Sequence, residues 1–246
     1  MGVNNIESLI QTKVAIIPAR GGSKRISNKN IRLFAGQPII SYSIRAAQDT
    51  KLFDRIIVST DSLEIADIAR EYGAEVPFIR PTVLANDFAR TEDVVCHAID
   101  WLVKEGMQPE FICCIYATAP FIQVNYLQQG YYKLVSSTAT TVFSVTKYPY
   151  PIYRSLKISE EGRIEMIWPE YENLRSQDLP ESYHDAGQFY WANARKFMKE
   201  KLLFARDSLP VILPRYLVQD IDTMEDWETA ERLFAVMQAK PGVKIG

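Results

Sequence analysis

Val14 to Asn30, V-A-I-I-P-A-R-G-G-S-K-R-I-S-N-K-N, constrains this chain more than any other stretch. Its apolar, β-branched start reads as a buried strand, and Gly21-Gly22 then forces a tight turn whose backbone amides are free to face a ligand. Between Glu7 and Asp49 there is no acid, whereas Lys13, Arg20, Lys24, Arg25, Lys29, Arg32 and Arg45 all lie there, so the window carries +7 within a chain whose total is -2. Such segregation predicts a local anion site rather than a generally basic protein. It also argues against broad nucleic-acid binding while still suiting a nucleoside triphosphate.

A chain of 246 residues with 47% hydrophobic content has enough sequence for one sizeable core. No apolar run is long enough to span a bilayer and the N-terminus lacks a basic region followed by an apolar core, so a cytoplasmic protein with no membrane partner is expected. Cys96, Cys113 and Cys114 show no CxxC spacing and read as buried thiols.

Short apolar strands alternate with helical patterns. Strands are expected at 14–18, Arg55–Thr60, Glu75–Ile79, Phe111–Tyr116 and Thr140–Val145. Helices are expected after Gly36-Gln37-Pro38, with Pro38 at the first helical position, after Asp61 or Ser62 as cap, from Thr91, and around Tyr126–Leu134. This alternation predicts a three-layer α/β/α sandwich with a mostly parallel sheet, whose ligands collect at the carboxyl ends of the strands. Residues 1–12 read as an N-terminal extension, and 13–146 with 181–246 as the α/β domain. Between them, 147–180 reads as a protruding β-rich excursion marked by Tyr-Pro-Tyr-Pro and polar turns. Regular structure is expected to resume with a strand at Gln188–Ala192, a helix over Asn193–Leu202, a strand near Tyr216–Val218 and a last helix across Thr223–Met237.

The loop Arg20-Gly21-Gly22-Ser23-Lys24 matches neither GxxxxGK[ST] nor GxGxxG. Its reading is a nest of amides and cations for a polyphosphate, set against a plain basic surface loop. In Gln219-Asp220-Ile221-Asp222 the carboxylates stand two apart, so an extended segment turns both to one side, where they suit a hard cation such as Mg2+. Asp222 or Thr223 equally suits the N-cap of the last helix, and the two readings coexist. His97 sits in an apolar helical pattern and reads as packing; His184, just before an aromatic strand, reads as a ligand contact or a structural hydrogen bond.

With these residues in hand the chain resembles the CMP-acylneuraminate cytidylyltransferase family. The likeness runs through I-P-A-R-G-G-S-K-R-I-S-N-K-N at 17–30, F-D-R-I-I-V-S-T-D at 53–61, R-P-x-x-L-A-x-D at 80–87 and D-I-D-T at 220–223. It implies a nucleotide-diphospho-sugar transferase-like fold that couples CTP to a nine-carbon acidic sugar. By this resemblance Arg20, Gly22, Ser23, Lys24 and Lys29 hold the phosphates, while Asn30, Arg80, Ala89 and Thr91 surround the cytidine. Asp220 and Asp222 match magnesium ligands and share the catalytic role with Lys24 and Lys29. Tyr116, Arg175, His184, Gln188 and Tyr190 fall on the acceptor side, and 147–180 corresponds to a dimerisation extension, implying a homodimer. Two segments depart from the sialic acid enzymes. H-D-A-G-Q-F-Y-W at 184–191 replaces an R-P-N-G-type segment, and Tyr116-Ala117-Thr118-Ala119-Pro120 replaces Q-P-T-S-P. Both departures favour pseudaminic acid as acceptor over N-acetylneuraminate, legionaminate or 3-deoxy-manno-octulosonate. A nucleotide-binding regulatory module without catalysis is the alternative of a different class.

Overall fold

Alternate residues of the first strand, β1 (Lys13–Pro18), enter two different cores, and that alternation sets the layers. Ala15 and Ile17 face one cluster, Val14 and Ile16 the other, all fully buried. The computed structural model describes residues 11–239, so the N-terminal extension expected at 1–12 lies outside the described residues except for its last two.

Two short strands, β2 (Leu33–Phe34) and β3 (Gln37–Pro38), follow, then α1 (Ile39–Thr50), β4 (Arg55–Ser59) and α2 (Leu63–Glu71). Next come α3 (Thr91–Lys104), β5 (Phe111–Ile115), α4 (Val124–Val135) and β6 (Thr141–Lys147). A small hairpin, β7 (Leu156–Ile158) with β8 (Ile164–Met166), precedes β9 (Tyr183–Asn193), α5 (Ala194–Glu200), β10 (Leu209–Leu213) and α6 (Met224–Gln238). The sheet runs β10-β6-β9-β5-β1-β4. Every neighbouring pair is parallel except those made by β9, which is antiparallel to β5 and β6. One face packs α1, α2 and α4 over Cys113, Phe189 and Trp191; the other packs α3 and α5 over Cys114, Tyr190 and Ala192. The three cysteines are free and buried. A third cluster seats α6 through Trp227 and Phe234 against Phe34, Tyr42 and Phe121. Full burial of side chains such as Phe34 and Phe234 is worth about 1.5–3 kcal/mol each. No helix among the described residues is long and apolar enough to cross a membrane.

Four local expectations differ from the structure, each for a backbone reason. The strand expected near Tyr216–Val218 is a 3-10 turn at Arg215–Leu217, in which Leu217 N donates to the Pro214 carbonyl. The strand instead lies upstream at Leu209–Leu213, where Pro210 is tolerated because β10 is the sheet edge and Pro214 ends it. Glu75–Ile79 forms only isolated bridges from Glu75 to Ile57 and from Ile79 to Thr60, since Pro77 between them has no amide to donate. Pro38 is the N-cap of α1 rather than its first residue, because Ala35 (φ 45) and Gly36 (φ 86) turn the chain into the β2–β3 hairpin first. The aromatic strand is longer than Gln188–Ala192 and antiparallel, a direction that an apolar run does not encode.

Helix α4 meets β9 so closely that a side chain has no room at Gly130: a Cβ there would stand 2.7 Å from Trp191 Cδ1 and 3.0 Å from Phe189 Cε2. Trp191 is pinned by its Nε1–H donating to the Leu127 carbonyl at 2.9 Å and by stacking on Phe53. Gly130→Ala gains about 1 kcal/mol of helix propensity, but overpacking costs typically about 1–3 kcal/mol. We therefore expect a lower midpoint of urea unfolding with an unchanged slope; a raised midpoint would contradict this packing.

Candidate active site

The loop after β1 is held rigid before any ligand enters. Ala19 N donates to the Ser59 carbonyl, Gly21 N to Asp61 Oδ1 at 2.9 Å and Asn30 Nδ2 to the Arg20 carbonyl at 2.8 Å. Asn28, at φ 52, takes amides from both Ile31 and Arg32 onto its carbonyl. This wraps the loop around a cleft of about 560 Å3 at the carboxyl ends of β1, β4 and β5. Arg20, Lys24, Arg25, Lys29 and Arg80 line it, against the carboxylates of Asp87 and Asp222 alone.

Those two acids are shared among the cations. Asp87 meets Arg20 at 2.7 Å and Lys24 at 2.5 Å, and Lys24 first and Arg20 second hold its carboxyl below the ordinary range. Asp222 meets Arg25 at 2.9 Å and Lys29 at 3.3 Å. Arg80 is only 4% exposed, yet its Nε and Nη2 have no hydrogen-bond partner among the described residues; its nearest carboxylate, Asp61, stands 3.6 Å away. Burial lowers the Arg80 pKa against the opposing pull of Asp61. A buried guanidinium left unsatisfied on a cleft wall is costly unless a ligand supplies acceptors.

The caps of two helices decide which acids reach the cleft. Ser62 caps α2 by accepting from Ile65 N, leaving the Asp61 carboxylate for Gly21 and Arg80. Thr223 caps α6 in a capping box with Asp226, whose carboxylate also takes the Asp222 amide. The Asp222 side chain is thereby released from capping and turns to Arg25 and Lys29. Asp220 is pushed above the usual carboxylate range by desolvation first and by the charge of Asp222 second. Two carboxylates crowded in this way, next to a cleft suited to phosphates, fit the donor set of Mg2+, which takes one or two carboxylates and completes its shell with phosphate and water.

Ser23, Asn30, Ala89, Thr91 and Tyr116 also line the cleft. Gly22 belongs to its loop and faces open space, while Asp220 stands beside the cleft without lining it. A second cavity of about 560 Å3 opens on the same edge of the sheet, where β6 and β10 end, and is lined by Lys147, His184, Arg215 and Tyr216 among others. His184 lies 4.8 Å from the Tyr148 ring, with Nδ1 bonded to the Asp185 carbonyl. Lys147 pairs with Glu181, and Arg215 has no ion pair among the described residues. Gln188 and Tyr190 are buried beneath the rim, donating to the Leu217 carbonyl and to Asp185. Arg175 reaches neither cavity; it lies in the 147–180 segment, paired with Asp178. His97 packs edge-on against Phe78.

Sequence reasoning assigned no role to Asp87, although it ends the R-P-x-x-L-A-x-D pattern, nor to Arg25, although it lies in the acid-free window. Arg215 and Lys147 carried no signal, because the strands that present them at a cavity mouth had to be placed first.

The sequence pattern of the cytidylyltransferase family matches residues 14–239. A pseudaminic acid cytidylyltransferase of Campylobacter jejuni subsp. jejuni is 42% identical over 223 residues, 91% of this chain and 96% of that protein. A CMP-N,N'-diacetyllegionaminic acid synthase of Legionella pneumophila is 34% identical over 232 residues, 92% of this chain and 97% of that protein. Among solved structures, a CMP:2-keto-3-deoxy-manno-octonic acid synthetase complexed with CTP superposes with a TM-score of 0.67 at 14% identity, covering 92% of this chain and 99% of that one. That likeness is one of fold.

Proposed function

Because the chain belongs to the cytidylyltransferase family, and is therefore a nucleotidyltransferase, we propose that it couples CTP to pseudaminic acid, giving the CMP-sugar and pyrophosphate. The observation that carries this reading is the cleft itself: five cations, two of them shared with Asp222, face one another at the carboxyl ends of the parallel strands. Arg20, Ser23, Lys24 and Lys29 take the triphosphate, with the amide-rich turn at Gly21-Gly22 beside them. Asn30, Arg80, Ala89 and Thr91 take the nucleoside, and the unsatisfied Arg80 donors find acceptors there. Lys24 and Lys29 offset the charge that builds on the phosphate oxygens as the anomeric oxygen bonds to the α-phosphorus and pyrophosphate leaves. Asp220 and Asp222 hold Mg2+, which when bound neutralises phosphate charge and orients the leaving group.

The acceptor enters the second cavity, where His184 stands, with Tyr116 on the nucleotide side. Lys147 and Arg215, which line that cavity, supply the positive charge its carboxylate needs, beside Arg175, which keeps the acceptor-side place that the resemblance gives it although it lines neither cavity and pairs with Asp178. A CTP-dependent reaction of this kind belongs in the cytoplasm. Legionaminic acid is the second reading, carried by the 34% identity of the Legionella relative and ranked below by the 42% of the pseudaminic acid enzyme. A module without catalysis fits less well, because such a module needs neither paired carboxylates nor cations poised around them.

The segment 147–180 serves dimerisation in this reading. Its hairpin pairs only with itself and leaves Ile158 77% and Ile164 71% exposed, with Leu156 beside them, an apolar surface suited to a second copy of the chain.

Pyrophosphate release measured with CTP, Mg2+ and a panel of nonulosonic acids tests the function. Turnover is expected with pseudaminic acid and is expected to vanish in Asp222→Ala at unchanged thermal stability; near-normal activity in that variant would sink the metal assignment. In sedimentation, Ile158→Glu with Ile164→Glu is expected to convert a dimer into a folded monomer, and an unchanged mass would remove the hairpin from the interface.

A further inference from the structure

The turn that follows β4, residues 59–62, lies between two segments that reach the cleft separately. β1 pairs with β4 along one side, and the chain at 75–79 bridges it along the other, Glu75 with Ile57 and Ile79 with Thr60. Backbone carbonyls of the turn hold both: Ala19 N donates to Ser59 at 2.9 Å and Arg80 N to Thr60 at 2.8 Å. The Asp61 side chain repeats that bridge with a single oxygen. Gly21 N donates to Oδ1 at 2.9 Å, and Arg80 Nη2 stands 3.6 Å from the same atom. Asp61 is free to do so because Ser62 caps α2 in its place, with Ile65 N on its Oγ, while Thr60 Oγ1 takes the Ser62 amide. Gly21 fits against this turn because it lacks a side chain: a Cβ there would stand 3.1 Å from Ser62 Cβ.

A carboxylate among cations can do two opposite things. As charge alone it dilutes the positive field and weakens an incoming polyphosphate. As a fixed acceptor it holds donors in place before the ligand arrives, and donors ordered in advance bind more tightly. The geometry favours the second. Asp61 does not line the cleft, and its side chain is only 25% exposed, so it meets the loop and the wall rather than the ligand. Arg80 does line the cleft, is buried with Nε and Nη2 lacking hydrogen-bond partners, and pairs with no other carboxylate among the described residues. Its guanidinium therefore depends on Asp61 for a counter-charge, and the loop amide depends on the same oxygen for an acceptor.

We propose that Asp61 is a positioning residue for both halves of the nucleotide site, fixing the phosphate loop through the Gly21 amide and the nucleoside wall through Arg80. One side chain outside the cleft thus sets the spacing of two segments that a single nucleotide must span. This rests on the reading in which the loop takes the phosphates of CTP and Arg80 its nucleoside.

The test is calorimetric titration of the full chain with CTP and with inorganic tripolyphosphate, for wild type, Asp61→Asn and Asp61→Ala. Phosphate contacts are common to the two ligands, so the ratio of their affinities reports the nucleoside half. Asp61→Asn keeps an oxygen for the Gly21 amide and removes the charge facing Arg80. It is expected to bind tripolyphosphate no more weakly than wild type, while the ratio of CTP to tripolyphosphate affinity falls roughly three- to tenfold, the scale of one hydrogen bond. Asp61→Ala releases the loop as well, and its tripolyphosphate affinity is expected to fall by about the same factor even though the site has become more positive. Charge dilution alone predicts the reverse, tighter tripolyphosphate binding in both variants with an unchanged ratio. Tighter binding in Asp61→Ala, or an unchanged ratio in Asp61→Asn, would overturn the proposal. Should Asp61→Ala not fold, the ratio in Asp61→Asn decides it. A wild type that binds no CTP would overturn the functional reading beneath it as well.

Discussion

Five cations converge on a cleft that supplies only Asp87 and Asp222 to meet them, and the rest of the site is arranged to keep that imbalance from collapsing. Arg20 and Lys24 share one carboxylate, Arg25 and Lys29 share the other, and Arg80 is left with unsatisfied donors in the wall. Charge held in this way is destabilising to an empty protein and favourable to a polyphosphate, which brings several negative charges and many acceptor oxygens at once. The scaffold bears that cost through cores on both faces of the sheet and through a loop whose backbone is tied to Asp61, Ser59 and its own Asn28 and Asn30.

The helix caps follow the same logic. In both S-T-D-S before α2 and D-I-D-T before α6, an acid stands immediately before a hydroxyl residue. In both, the hydroxyl caps the helix and the acid is left to meet a cation of the site, Asp61 with Arg80 and Asp222 with Lys29. Local backbone satisfaction and site electrostatics are therefore supplied by adjacent residues rather than competing for one. A sequence reading that leaves Asp222 open between cap and ligand has no means of choosing. The choice comes from Asp226, which completes the capping box with Thr223 and leaves Asp222 to the cations.

The strand–turn of 14–30, the apolar run of β5 and the helix from Thr91 were legible because burial and charge segregation both leave marks in composition and spacing. The direction of β9 was not, since an apolar strand covered on both faces looks the same either way round. The edge strand β10 was hidden by Pro210, a residue that forbids a central strand but not an edge one. The placing of Asp185 against Tyr190 was illegible for a sharper reason: it depends on a bulge that brings residues five apart into hydrogen-bonding distance. Resemblance supplied roles where the residues alone left alternatives, Arg175 on the acceptor side among them, whereas that Lys147 and Arg215 line the second cavity is visible only in the folded chain.

Comparing the affinities of CTP and CMP for the protein over a range of salt concentration tests the charge account most directly. If the cationic loop is the organising element, CTP binds far more tightly than CMP, and the gap narrows as salt rises because the difference is carried by phosphate contacts. Equal affinity for the two nucleotides, or a gap indifferent to salt, would contradict it.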